Sequence, residues 1–257
     1  MTLQSAPDFR LLGVRIDNMP MRQALAEIVS TAASEGTPPC QMAFVNAHCL
    51  NVAARDRRYR EVLNGARRVF ADGVGVRVGA RALGVRVREN VNGTDLFPRL
   101  CHALEAVDVG VFLLGASPRA VQGTADWIMH AHPRLRLAGV HHGFFSRGES
   151  DAVADEIRRS GAKLLLVAMG VPMQELWIDA HLRRAGVRVA LGVGALFDFY
   201  SASVPRAPGW MRAHALEWVW RLGLEPRRMW RRYVLGNPRF LLRVAGQALT
   251  RRFQHEG

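Results

Sequence analysis

Apolar residues along this chain fall into short unbroken runs. Each run stops at a glycine or a small polar residue, and helical spacing resumes after it. Met42 to Val45, Val69 to Ala71, Val109 to Leu114, Leu135 to Val140, Leu164 to Ala168 and Val187 to Leu191 are such runs, and Leu11 to Ile16 alternates weakly as an opening strand. Continuous apolar strands are those buried on both faces. Between them the spacing predicts helices: Pro20 to Ala33 with Met21, Ala24 and Ile28 on one side, one or two helices over Leu50 to Leu63, and one over Val74 to Leu83. A further helix runs to Leu104, with Thr94 placed to cap it, and Ser117-Pro118 opens one reaching His130. Ser150 is placed to cap a helix to Ser160, and Pro172 takes the first position of one ending at Ala185. Strands alternating with helices predict an α/β fold, a mainly parallel sheet with helices on both faces.

After Asp198 the pattern changes. Pro205, Pro208 and Gly209 interrupt it, and the remainder is helical, aromatic and cationic, which divides the chain into an α/β core over 1–203 and a helical appendage over 204–257. From Pro205 onward, eleven arginines stand against three glutamates and hold +8 of the chain's formal +13; Lys163 is the only lysine. Such one-sided charge attracts anionic lipid, phosphorylated ligands or nucleic acid. Helices with arginine on one side and Trp210, Trp218, Trp220, Trp230 and Phe240 on the other suit the membrane interface, and core packing is the alternative for each ring. No recognised nucleic-acid motif is present, and glutamates interrupt the appendage. No apolar run is long enough to span a bilayer, and Met1 to Pro7 has neither the basic start nor the apolar segment of a secretory signal. Cys40, Cys49 and Cys101 lie at no metal-like spacing and read as free thiols of a reducing cytoplasm.

The candidate chemistry sits at the strand ends. Asp72 ends a buried run and is followed by Gly73-Val74-Gly75, so its carboxylate projects where open α/β sheets place their ligands. Asp-Gly is also a common turn pair, which is the structural alternative. Asn46, Gly115, Gly143, Gly170, Gly192 and Gly194 close the other strands, and glycine turns beside helix starts suit a nucleotide diphosphate. The full dinucleotide fingerprint and the Walker lysine are both missing, which argues against a nicotinamide enzyme and a P-loop NTPase. Gln174 and Glu175 stand in the first turn of their helix. Gln174 is suited to fixing sugar hydroxyls, and Glu175 equally to complementing the helix dipole. His141-His142 lacks a spaced third ligand, so no metal site is expected there.

In order and spacing, the motifs Val45-Asn46-Ala47, Ala71-Asp72-Gly73, Gly93-Thr94-Asp95-Leu96, Val111 to Gly115, Gly143-Phe144-Phe145, Ala168 to Glu175, Gly192 to Asp198, Arg206-Ala207-Pro208, Glu217 to Leu222 and Glu225 to Arg228 cover almost the whole chain. Together they resemble the bacterial glycosyltransferase family typified by the N-acetylmannosaminyl(uronic acid) transferases of teichoic-acid and enterobacterial common antigen synthesis.

The resemblance implies a Rossmann-like core with an appendage that completes the site at the membrane, as in a GT-E fold. It implies an inverting, metal-independent and cofactor-free transfer of a hexose from a UDP-sugar to a polyprenyl-diphosphate-linked monosaccharide. That step belongs to the assembly of a cell-surface or exopolysaccharide repeat unit, on the inner face of the cytoplasmic membrane. It makes Asp72 the candidate base, with Gln174 beside it. Asn46, His48, Asn90, Asn92, Gly115, Phe144, Gly170, Asp198, Arg206, Arg221 and Arg228 become candidate substrate-binding residues. Four positions depart from the common pattern: Phe44 replaces a threonine, His48 a glutamate, Asn90 an arginine and Phe144 a tyrosine. The donor therefore reads as either glucose-type or N-acetylmannosamine-type. A non-catalytic sugar-nucleotide binder is the alternative function.

Overall fold

The computed structural model describes residues 8–214 and 216–255. A hairpin of β1 (Phe9–Leu11) and β2 (Val14–Ile16) precedes α1 (Met21–Ala33), β3 (Cys40–Val45), α2 (Ala47–Ala53), α3 (Arg57–Gly65), β4 (Arg68–Ala71) and α4 (Val74–Ala82). The second half continues with α5 (Gly93–Leu104), β5 (Val111–Gly115), α6 (Pro118–Ala131), β6 (Leu137–His141), α7 (Ser150–Arg159), β7 (Leu164–Ala168), α8 (Met173–Ala185) and β8 (Val189–Gly192). Then come α9 (Leu196–Tyr200), α10 (Gly209–Ala213), α11 (Glu217–Leu224), α12 (Pro226–Trp230), a π-helical turn at Arg231–Leu235 and α13 (Gly236–His255).

Six strands form one parallel sheet in the order β4-β3-β8-β7-β5-β6. Side chains alternate between its faces, as the strand period requires. Met42 and Phe44 of β3, Leu113 of β5 and Leu166 of β7 pack on one face with α1, α5 and α6. On the other face, Ala43 and Val45 pack with α2, α3 and α4, while Phe112, Leu165 and Val167 pack with α7 and α8. Both faces are covered, which is why these strands read as unbroken apolar runs.

Several local expectations are corrected. Leu11 to Ile16 is not one strand: Leu12 and Gly13 both take positive φ (51° and 82°), which folds the segment into a two-residue hairpin. Leucine at the first turn position hides that signal. The Leu50 to Leu63 segment is two helices, and the first begins earlier because Asn46 caps it. Asn92, not Thr94, caps α5, accepting from Asp95 N–H at 2.7 Å. Ser150 is the first residue of α7 instead of its cap, and Pro172 stands just before α8.

The C-terminal helices return to the sheet side of the molecule through α13. Phe240 is 1% exposed and lies against Gly79, where an added Cβ would sit 3.0 Å from its ring and 2.9 Å from Leu11. Arg243 donates to the Asn51 carbonyl at 3.2 Å, and Gln247 accepts the Leu12 N–H at 2.9 Å. Phe240→Ala should therefore destabilise the fold by about 3–5 kcal/mol, the usual cost of a large cavity left by an aromatic ring, as read by urea denaturation.

Candidate functional site

The parallel register sets the strand ends level. Val45 pairs with Ala71, so the next residues, Asn46 and Asp72, emerge side by side. Asn46 Oδ1 accepts the His48 and Cys49 N–H groups at 3.0 and 3.2 Å, capping α2, while its Nδ2 lies 3.4 Å from Asp72 Oδ2. The Asp72 backbone is fixed by its N–H bond to Val45 O at 2.9 Å. Gly73 follows at φ 88°, and Asn90 accepts its N–H at 2.5 Å. Gly75 lets α4 start against α2, since a Cβ there would meet Ala47 Cβ at 2.8 Å. Burial pushes the Asp72 carboxyl up to about 6, with Asn46 and the Arg232 charge pulling the other way. A carboxylate with that poise is ionised at neutral pH and remains basic enough to take a proton.

Asp72 lines a cavity of about 1130 Å³ over the strand ends, walled on one side by residues 221–239 of the C-terminal helices. Six arginines line it, Arg55, Arg221, Arg228, Arg231, Arg232 and Arg239, against three carboxylates, Asp56, Asp72 and Asp198. Arg221 lies over the Phe199 ring at 4.8 Å, and Glu225 pairs with Arg221 at 3.5 Å and Arg228 at 2.9 Å, which fixes both guanidinium groups. The buried Nε of Arg232 has no hydrogen-bond partner among the described residues. Burial raises the Asp198 carboxyl, opposed by Arg228 and Arg221. His48 is held down to about 4 by burial and by Arg232, so its ring is neutral at physiological pH.

Sequence-based expectation and geometry part at several positions. Asn46, His48, Asp72, Phe144, Gly170, Gln174, Asp198, Arg221 and Arg228 line this one cavity. Asn90, Asn92, Gly115 and Arg206 are not among its lining residues. Asn90 holds the Gly73 turn and Asn92 caps α5. Gly115 sits so close to Ala168 that a Cβ would lie 2.5 Å from its carbonyl oxygen. Arg206 pairs with Asp95, and with Glu217 at 3.7 Å.

The glycine turns also differ from a phosphate cradle. Gln174 Oε1 accepts the N–H of Gly170 at 3.2 Å and of Gly194 at 3.0 Å, and Gln174 Nε2 donates to Glu175 Oε1 at 2.7 Å. The N–H groups of Gly143 and Val193 are taken by Ala116 O and Val167 O. Those donors are spent inside the protein, which leaves arginine as the main anion-binding group of the cavity. Gln174 is 2% exposed, and it ties the β7–α8 turn to the β8–α9 turn. Burial pushes its partner Glu175 up to about 7. Arg55 and Arg239 escaped the sequence reading. Nothing in sequence separates them from surface arginines in so basic a chain.

A family model described as "Glycosyl transferase WecG/TagA/CpsF family" matches residues 9–254. The chain belongs to this glycosyltransferase family. Among curated relatives, the N-acetylglucosaminyldiphosphoundecaprenol N-acetyl-beta-D-mannosaminyltransferase of Bacillus subtilis (strain 168) is 32% identical over 200 residues, covering 78% of this chain and 77% of the relative. The identically named protein of Staphylococcus aureus (strain NCTC 8325 / PS 47) is 28% identical over 235 residues, 91% of each chain.

Replacing the clamp side chain tests its assignment. Gln174→Ala strands two backbone N–H groups, and should cost about 1–3 kcal/mol of stability in urea unfolding. It should also lower kcat/KM by up to about 100-fold through displaced turns.

Proposed function

We propose that this protein is an inverting hexosyltransferase. It moves a sugar from a UDP-sugar to a polyprenyl-diphosphate-linked monosaccharide at a membrane surface, in the assembly of a polysaccharide repeat unit. The observation that carries the reading is the division of one cavity: a raised-pKa carboxylate at the end of β4, facing an arginine wall built by the appendage. Two diphosphates must be accommodated in such a reaction, one on the donor and one on the acceptor lipid. Six arginines against three carboxylates supply the charge for that.

In the proposed step, an acceptor-sugar hydroxyl attacks the donor anomeric carbon from the face opposite UDP. Asp72 takes the hydroxyl proton as the new C–O bond forms. The bond from the anomeric carbon to the UDP oxygen breaks with its electron pair, and the resulting charge is met by guanidinium groups such as Arg221, Arg228 and Arg232. The relatives' names specify an N-acetylmannosaminyl donor and an N-acetylglucosaminyl-diphosphate acceptor for those proteins. Here Phe44, neutral His48 and exposed Phe144 line the cavity and present apolar or uncharged surface to the sugars, so a glucose-type donor suits the site as well.

The appendage supports the membrane part of the reading. Nine of the fourteen large exposed apolar side chains among the described residues lie between Trp210 and Leu249, including Trp230 at 42% and Leu242 at 74%. No helix among the described residues is long and apolar enough to cross a membrane. An apolar rim beside exposed arginines fits a protein lying on anionic headgroups.

A screen of UDP-sugars against polyprenyl-diphosphate-linked GlcNAc and glucose, read by the mass of the lipid product, tests the reaction; no product with any pair sinks it. In that assay kcat should rise with pH through about 6 and then level, as Asp72 ionises. Asp72→Asn should lower kcat about 10²–10⁴-fold. Between 3.8 and 6 the folded protein keeps a proton on Asp72 that the unfolded chain has lost, so its contribution to stability falls across that window. The cost is fully present above 6, and Asp72→Asn should therefore raise stability at neutral pH by up to about 3 kcal/mol. For the membrane, the double variant Trp230→Ser/Leu242→Ser should bind anionic vesicles about tenfold more weakly with its circular dichroism unchanged. Undiminished vesicle binding would remove this face from the interface.

A further inference from the structure

At the opposite edge of the sheet from the cavity, α5 and α6 end beside each other. Glu105 is the C-cap residue of α5 and His132 that of α6, with His102 in the last turn of α5. His102 Nδ1 lies 3.3 Å from Glu105 Oε2, and His132 Nδ1 lies 3.5 Å from the same oxygen. The three ligating atoms all fall within 4.8 Å of one another. In a tetrahedral zinc site with bonds of about 2.0–2.1 Å, neighbouring ligand atoms stand about 3.3 Å apart. The two short separations match that edge.

Burial and charge agree with the spacing. The His132 and Glu105 side chains are 12% and 9% exposed, and the Trp127 ring packs edge-on against His132 at 5.4 Å, so two of the three groups are held in place. The His102 side chain is 78% exposed, so the cluster is open to solvent on that side. Two helix C-termini converge there, and their partial negative charge favours a cation. Arg134 Nε approaches the other carboxylate oxygen, Glu105 Oε1, at 4.0 Å, and the Arg134 backbone N–H also bonds this carboxylate.

We propose that His102, Glu105 and His132 form a binding site for one divalent transition-metal ion of the zinc class, which ties the end of α5 to the end of α6. Helix α5 runs about 18 Å from the cavity, where Gly93 and Thr94 line the wall, to this cluster. The ion therefore acts on the scaffold and takes no part in the transfer step.

The test uses the tag-free, chelator-treated full chain titrated with ZnCl2 by calorimetry, with thermal unfolding in parallel. Wild type should take up one Zn²⁺ per chain saturably, and its Tm should rise by about 5–10 °C at a hundredfold excess over Kd. With Co²⁺ in place of Zn²⁺, the visible band of a tetrahedral site should appear. His102→Ala/His132→Gln should abolish the uptake and the Tm rise. Should the double variant fail to fold, the exposed His102→Ala alone should weaken affinity at least tenfold. Absence of saturable uptake in wild type, or uptake that survives these substitutions undiminished, overturns the site.

Discussion

A carboxylate drawn out of water at the end of a buried strand costs free energy unless its surroundings compensate, and the architecture around Asp72 follows from that requirement. Compensation here is deliberately partial. One amide, Asn46 Nδ2, reaches Asp72 at 3.4 Å, and one guanidinium, Arg232, acts through the field without an ion pair. A direct arginine contact would instead pull the carboxyl down. The level register of β3 and β4 is what permits this intermediate state, because it places Asn46 beside Asp72 while the same Asn46 caps α2. One asparagine thereby couples a helix start to a strand-end carboxylate.

The rest of the crevice is built around keeping its turns fixed. Buried Gln174 accepts from two glycine turns and donates to Glu175, so the turns after β7 and β8 move together or not at all. With those amides consumed, the cationic groups of the cavity are side chains, five of them from the C-terminal helices and Arg55 from the turn between α2 and α3. Seating α13 through Phe240, Asn51 and Gln247 is therefore more than cover for the core. It sets the distance between the arginine wall and the strand-end carboxylate.

Much of the fold was legible because doubly buried strands cannot alternate, and runs such as Leu164 to Ala168 admit few other readings. Asp72 was legible for a related reason, since a polar residue ending such a run has to emerge at the sheet's edge. What sequence could not show is adjacency. That β8 lies between β3 and β7, bringing Gly194 to Gln174 across twenty positions, is a property of topology and not of any local pattern. Gln174 looked free to bind sugar because its partners are backbone amides, which every residue but proline carries and no composition reveals. Thr94 is a good cap by type, but the residue two positions earlier, Asn92, is the one whose side chain meets the Asp95 N–H.

The arginines make the same point in reverse. Their number marked the appendage as anion-seeking, but their roles separate only by what they touch. Arg206 is drawn aside by Asp95 and Glu217 and braces the appendage. Arg184, on α8, is neutralised by Asp151 and Asp155. Arg232 keeps a buried nitrogen unpartnered at the cavity. A buried nitrogen without a hydrogen-bond partner is costly, and among the cavity's arginines this holds for the Nε atoms of both Arg221 and Arg232.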